Sequence, residues 1–146
     1  MPQFINDPTL PKPDFPGSHM VVDDHYVFIS GLTVSDIADD MSPSLDTGEQ
    51  TRRVMRELER MLRQEELAWR DVVRVDIHLC DLGDIHTLDG VYAEFFEPGR
   101  YPARTCTESP KLSGASRVEI TLMASRAGQA RTPPGTPRSD EDTGPE

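Results

Sequence analysis

Three polar residues have types and positions that could do chemistry: Arg104 and Cys106 in the strand-like stretch 103–109, and Glu119 in the stretch 117–125. A guanidinium can hold a planar carboxylate through two parallel hydrogen bonds. A carboxylate can orient a water molecule and accept its proton, and a thiolate can act as a nucleophile. Each residue also has a purely structural reading. Arg104 and Glu119, on adjacent strands, can satisfy each other as an ion pair. Cys106 has no histidine at a fixed short spacing, which suits a small buried thiol better than a nucleophile. Ser30 at a strand end can be a turn former, and Asp89 can be a helix-surface charge. His19, His25, His78 and His86 show no metal-ligand spacing, so no metal site is expected.

The elements that must position these residues follow from hydrophobic period. Tyr26–Ile29 predicts a buried strand, hairpinned to Met20–Val22 across Asp23-Asp24. Thr47-x-x-Gln50 reads as a capping box, and Val54, Leu58, Met61 and Leu62 form the apolar stripe of the helix it opens. Val73, Val75, Ile77 and Leu79 alternate with Arg74, Asp76, His78 and Cys80, as in a strand with one apolar face. A second helix begins near Asp84 as N-cap, stacks Leu88, Tyr92 and Phe95, and stops before Pro98-Gly99. Two further strands, Ala103–Ser109 and Arg117–Ser125, complete an α+β layer with two helices on one face of the sheet. Alternation places Arg74, Asp76, His78, Arg104, Cys106, Glu119 and Thr121 on the opposite face. That face must meet water or another subunit, and an Arg, a Cys and a Glu on neighbouring strands suggest a site at a subunit junction.

The 146 residues suit one domain, and 26 acidic against 15 basic side chains give a net charge of −11. Such a chain is repelled by phosphate backbones and anionic membranes, so neither nucleic acid nor membrane is an expected partner. No apolar run approaches a spanning length, and the opening lacks a basic stretch followed by an apolar one, so a cytoplasmic location is expected. Cys80 and Cys106, 26 apart, read as reduced thiols. Proline marks the flanks, with five of 13 in residues 1–16 and four in residues 127–146. Residues 1–16 read as an extended, polyproline-like arm that Phe4, Ile5, Leu10 and Phe15 could dock, 17–126 as the folded domain, and 127–146 as a disordered acidic tail.

Ser30-Gly31, Glu49-Gln50, Tyr92-x-x-Phe95-Phe96, Pro102-Ala103-Arg104-Thr105-Cys106 and Val118-Glu119-Ile120, taken together in this order, resemble the Rid (YjgF) family of enamine/imine deaminases. The resemblance spans roughly residues 17–126. It implies a chorismate-mutase-like α+β fold, a homotrimer with three sites between subunits, and hydrolysis of 2-aminoacrylate-type enamine/imine acids to 2-oxo acids and ammonium, with no cofactor. By the same resemblance Arg104 holds the substrate carboxylate, Glu119 orients the water, and Ser30 and Cys106 position substrate or water. Two residues depart from the family pattern. Gly17 stands where family deaminases usually carry an aromatic residue, often Tyr, and Asp89 stands where they usually carry Asn. The first removes a pocket wall, for which Phe15 is a candidate substitute. The second places a negative charge beside a carboxylate site. Both imply altered specificity or lost turnover, and a trimeric metabolite binder or sensor using the same pocket is the alternative function. The late loop Leu112-Ser113-Gly114 also lacks the family's usual Pro, a loop variation only.

Overall fold

The computed structural model describes residues 1–37 and 46–130. Six strands form one mixed sheet: β1 (Gln3–Ile5), β2 (Met20–Val22), β3 (Tyr26–Leu32), β4 (Val72–Leu79), β5 (Ala103–Glu108) and β6 (Val118–Ser125). Their spatial order is β1-β2-β3-β6-β4-β5. Every pair is antiparallel except β4 and β5. A parallel pair needs a crossover, and α2 (Ile85–Tyr92) supplies it. The other long helix, α1 (Thr47–Gln64), precedes β4, and a single turn, α3 (Ala127–Ala130), follows β6. The rest of the segment read as an acidic tail lies outside the described residues.

The core lies between the sheet and α1 and α2. Val54, Met55, Leu58, Met61 and Leu62 of α1 are almost fully buried, as are Val75, Ile77 and Leu79 of β4 and Val118, Ile120, Leu122 and Ala124 of β6. Each such aliphatic side chain stabilises the fold by about 1.5–3 kcal/mol through burial. The cap of α1 differs from the expected one. Asp46 is the N-cap, its carboxylate accepting the Glu49 amide at 2.9 Å, and Thr47, one residue further in, donates its hydroxyl to Asp84 instead at 2.7 Å. Arg117 adds to this contact by reaching both Thr47 and Asp84, tying α1, α2 and the start of β6 together. The Thr47 hydroxyl, with Arg117 beside it, holds the Asp84 carboxyl below its ordinary range.

Two expectations on strands change. Val73 is not on the apolar face: the pairing of β4 with β6 shifts between Val72 and Arg74, and this bulge buries Val72 while leaving Val73 exposed. The N-terminal arm is also more than a docked polyproline segment, since Gln3–Ile5 pairs with Met20–Val22 as an edge strand. Leu10 joins the core, whereas Phe4 and Phe15 remain exposed. None of the described helices is long and apolar enough to cross a membrane.

Candidate active site

β5 is an edge strand that pairs only with β4, and its register fixes where its side chains point. Arg104 lies opposite Val75 and Cys106 opposite Ile77, while Thr105 and Thr107 lie opposite Asp76 and His78. Residues opposite each other share a face. Arg104 and Cys106 therefore face the helices, not the open side of the sheet where alternation had placed them. The hydrogen bonds agree: Thr105 accepts from Arg74 at 2.8 Å and Thr107 meets His78 at 2.8 Å on the open side. Cys106 packs against the core.

Arg104 reaches α2. Its Nη1 is 2.7 Å from Asp89 Oδ1, and its guanidinium carbon stands 5.0 Å from the centroid of the Tyr92 ring, within cation–π range. Asp89 and Tyr92 sit three positions apart, on one face of the helix. The Asp89 contact is one of charge and proximity, because Oδ1 has no aligned hydrogen-bond donor. The guanidinium fork is thus not spent in a bidentate pair. Asp89, Tyr92, Ala93, Tyr101, Pro102 and Arg104 line an open hollow of about 330 Å³. Burial, only partly offset by the Arg104 charge, pushes the Tyr92 phenol up to about 12, so the ring that carries the cation stays neutral. Burial likewise raises the Cys106 thiol, again against the pull of Arg104. A protonated thiol suits a positioning role better than a nucleophilic one.

Ser30 and Glu119 lie elsewhere. Glu119 is opposite His78 and so faces the open side of the sheet. The pairing of β3 with β6 is interrupted between Ile29 and Leu32, and at this irregularity Gly31 gives room to the carboxylate: a Cβ on Gly31 would lie 2.6 Å from Glu119 Oε2. Ser30 donates its hydroxyl to the Ser18 carbonyl at 2.7 Å and its amide to the His19 carbonyl at 3.0 Å. Ser30 and Gly31 line a second cavity, of about 310 Å³, whose outer wall is the arm from Leu10 to Phe15. Phe15 takes the space beside Gly17, its ring carbon 2.5 Å from where a Cβ on Gly17 would stand.

The structure thus brings together Arg104 and Asp89, with Cys106 on the same face, and separately sets Glu119 against Gly31, the neighbour of Ser30. Arg104 aligns through Val75 with Leu122, three residues along β6 from Glu119. At ~3.3 Å per residue and ~4.8 Å per strand, the backbones are about 14 Å apart, with the two side chains on opposite faces. The Tyr92 face under the guanidinium, the Tyr101 wall and the Gly31 cradle are absent from the sequence reading. A Tyr three residues after Asp89 and a Gly next to Ser30 were the available signals.

A family described as Endoribonuclease L-PSP matches residues 9–126, most of the chain. The chain belongs to this family, which is the Rid (YjgF/RutC) family. A RutC family protein of Pyrococcus abyssi is 30% identical over 114 residues, covering 78% of this chain and 89% of its own. The human 2-iminobutanoate/2-iminopropanoate deaminase is 26% identical over 109 residues, covering 75% of this chain and 79% of its own. In fold, the chain matches the crystal structure of a Rid-family protein of unknown function from Yersinia pestis with a TM-score of 0.77 at 22% identity, covering 86% of this chain and 99% of that one. The Rid resemblance read from Ser30-Gly31, Pro102–Cys106 and Val118–Ile120 is thereby borne out at the level of family and fold.

Proposed function

We propose that this Rid protein hydrolyses small enamine/imine acids of the 2-aminoacrylate type to 2-oxo acids and ammonium, in sites shared between the subunits of a homotrimer. The observation that carries the reading is the Arg104 guanidinium, laid on Tyr92 and open to a hollow, in a family that includes an imine deaminase. Arg104 holds the carboxylate of the imino acid. Glu119 takes a proton from water as the water oxygen bonds to the imine carbon. Glu119 returns that proton to the nitrogen of the resulting carbinolamine, the C–N bond breaks and ammonia leaves as the carbonyl forms, and the carbinolamine O–H proton passes through Glu119 to the ammonia to give ammonium. Cys106 shapes the floor beside Arg104, and Ser30 the opposing wall. The imine is already electrophilic, so the steps call for no cofactor.

A site that uses both Arg104 and Glu119 has to draw them from two chains, because they face opposite sides of one sheet. The open face also supplies a surface for association. Phe4, Val21, Phe28 and Met123 lie in one cross-strand row, with Tyr26 against Phe28 at 6.1 Å between ring centroids. The test combines assembly and turnover: light scattering at micromolar concentration is expected to give a trimer, and freshly generated 2-aminoacrylate to release ammonium and pyruvate. A concentration-independent monomer without product would refute the proposal. A second reading, a metabolite binder without turnover, draws on the Asp89–Arg104 pair, and saturable binding of 2-oxo or imino acids without ammonium release would establish it. The net charge of −11 gives RNA cleavage no support.

Gly31→Ala tests Glu119 without touching it. Since the added methyl meets the carboxylate itself, Glu119 must swing aside, and kcat/KM for 2-aminoacrylate is expected to fall about fivefold as proton transfer loses alignment. Circular dichroism should be unchanged. Full activity in a folded variant would show that the Glu119 position against β3 has no part in turnover.

A further inference from the structure

His19 begins the run into β2 and is held on three sides by the arm that walls the Ser30 cavity. Its Nδ1 is 2.8 Å from the Asp7 amide nitrogen, and its Nε2 is 3.1 Å from the Pro11 carbonyl oxygen. The His19 amide in turn donates to Asn6 Oδ1 at 3.3 Å. The two ring partners cannot exchange roles, for a backbone amide can only donate and a carbonyl can only accept. The ring must therefore be neutral, with its proton on Nε2 and a lone pair on Nδ1. The arm beyond these contacts carries Leu10 to Phe15, which with Ser18, Ser30 and Gly31 line the cavity. The His19 and Ser18 carbonyls take the two hydrogen bonds of Ser30.

We infer that His19 is a positioning residue with a pH-dependent action: neutral, it latches the arm over the Ser30–Gly31 end of the site, and protonated, it releases the arm. A proton on Nδ1 removes the acceptor of the Asp7 amide and sets two N–H groups against each other. The closed arm consequently binds one proton fewer than the open arm, and acid favours opening. The charged groups around the ring are Asp7, Lys12 and Asp14 from the arm, Asp36 from the turn after β3, and Arg60 from α1. Asp7 is already engaged by Thr9 and Arg60, and Asp36 by Thr33. Lys12, Asp14 and Asp36 line the same cavity as the ring. An open arm also withdraws Phe15 from the cavity rim.

The effect on turnover rests on the deaminase reading, but the latch itself can be measured without substrate, so failure of the latch and failure of that reading are distinguishable. Amide exchange in residues 1–19, corrected for intrinsic rates, is compared at about pH 7.5 and about pH 5.5, on either side of the usual histidine range. In the wild type, protection of the Asp7 segment is expected to fall about fivefold at the lower pH, a local opening with β4 and β6 unchanged. His19→Gln, whose amide offers an acceptor and a donor that do not titrate, is expected to keep the arm protected at both values, and His19→Ala to leave it unprotected at both. Nitrogen NMR of the wild-type ring should show the Nε2–H tautomer near neutrality whether or not the variants fold. The proposal is overturned by equal wild-type protection at both pH values, by the Nδ1–H tautomer, or by a His19→Gln variant that opens with acid as the wild type does.

Discussion

Arg104→Lys is expected to lower kcat/KM for 2-aminoacrylate about thirtyfold, a loss of about 2 kcal/mol in transition-state binding, while the protein stays folded. The charge is retained, so long-range attraction for a carboxylate survives. What disappears is geometry. Lysine cannot present two parallel donors to one carboxylate, nor lay a planar cation on the Tyr92 ring, where the guanidinium now stands at 5.0 Å. A compact ammonium would also settle more tightly against Asp89, which already lies 2.7 Å from Arg104, and so offer less to the substrate. Steady-state kinetics with the imine generated in situ, beside thermal melts of both proteins, check the expectation. If the clamp acts equally on bound substrate and transition state, KM carries the change, and if it tightens as the imine carbon becomes tetrahedral, kcat carries it. Wild-type kinetics in a folded Arg104→Lys protein would make Arg104 a structural partner of Asp89 and remove the carboxylate clamp from the mechanism.

How far the sequence discloses this site depends on which residues have an apolar stripe beside them. Buried positions alternate with less buried ones through all eight residues of β6 and from Val75 to Leu79 in β4, and the face of Glu119 follows directly from its neighbours Val118 and Ile120. β5 reads Ala-Arg-Thr-Cys-Thr-Glu, with no large apolar residue to say which parity points inward. A slip of one residue in pairing turns every side chain to the other face, and this is how Arg104 and Cys106 came to be expected on the wrong side. The bulge that exposes Val73 is likewise invisible to a two-residue period, because Val72 and Val73 are chemically alike. β1 escapes for another reason. Three residues among prolines are too short for a pattern, and the strand exists because Val21 and its neighbours offer an edge to pair with. Asp89 was legible as a departure from the family pattern. Its contact with Arg104 follows from the parity of β5, which the sequence could not supply.

Asp89→Asn is expected to raise turnover of 2-aminoacrylate about tenfold, corresponding to about 1.4 kcal/mol of relieved competition. In the resting protein the Asp89 carboxylate lies where a substrate carboxylate would approach the guanidinium, and its side chain is 45% exposed against 23% for Arg104. Such a half-exposed pair is partly screened by solvent, so the competition is modest in size. It still has a definite sign: an anionic imino acid must displace or sit beside a like charge, whereas a substrate with a neutral or cationic group at that end need not. The wild type is therefore expected to accept amide- or amine-bearing imines relatively better than the asparagine variant does, and the ratio of kcat/KM between the two substrate types should reverse or narrow on mutation. Asparagine keeps the shape of the side chain and can still place its amide oxygen toward Arg104, which isolates charge as the variable. Equal activity of the two proteins toward 2-aminoacrylate would mean that substrate enters without meeting Asp89, and that the ion pair over Tyr92 serves to orient Arg104 and leaves its choice of anion unaffected.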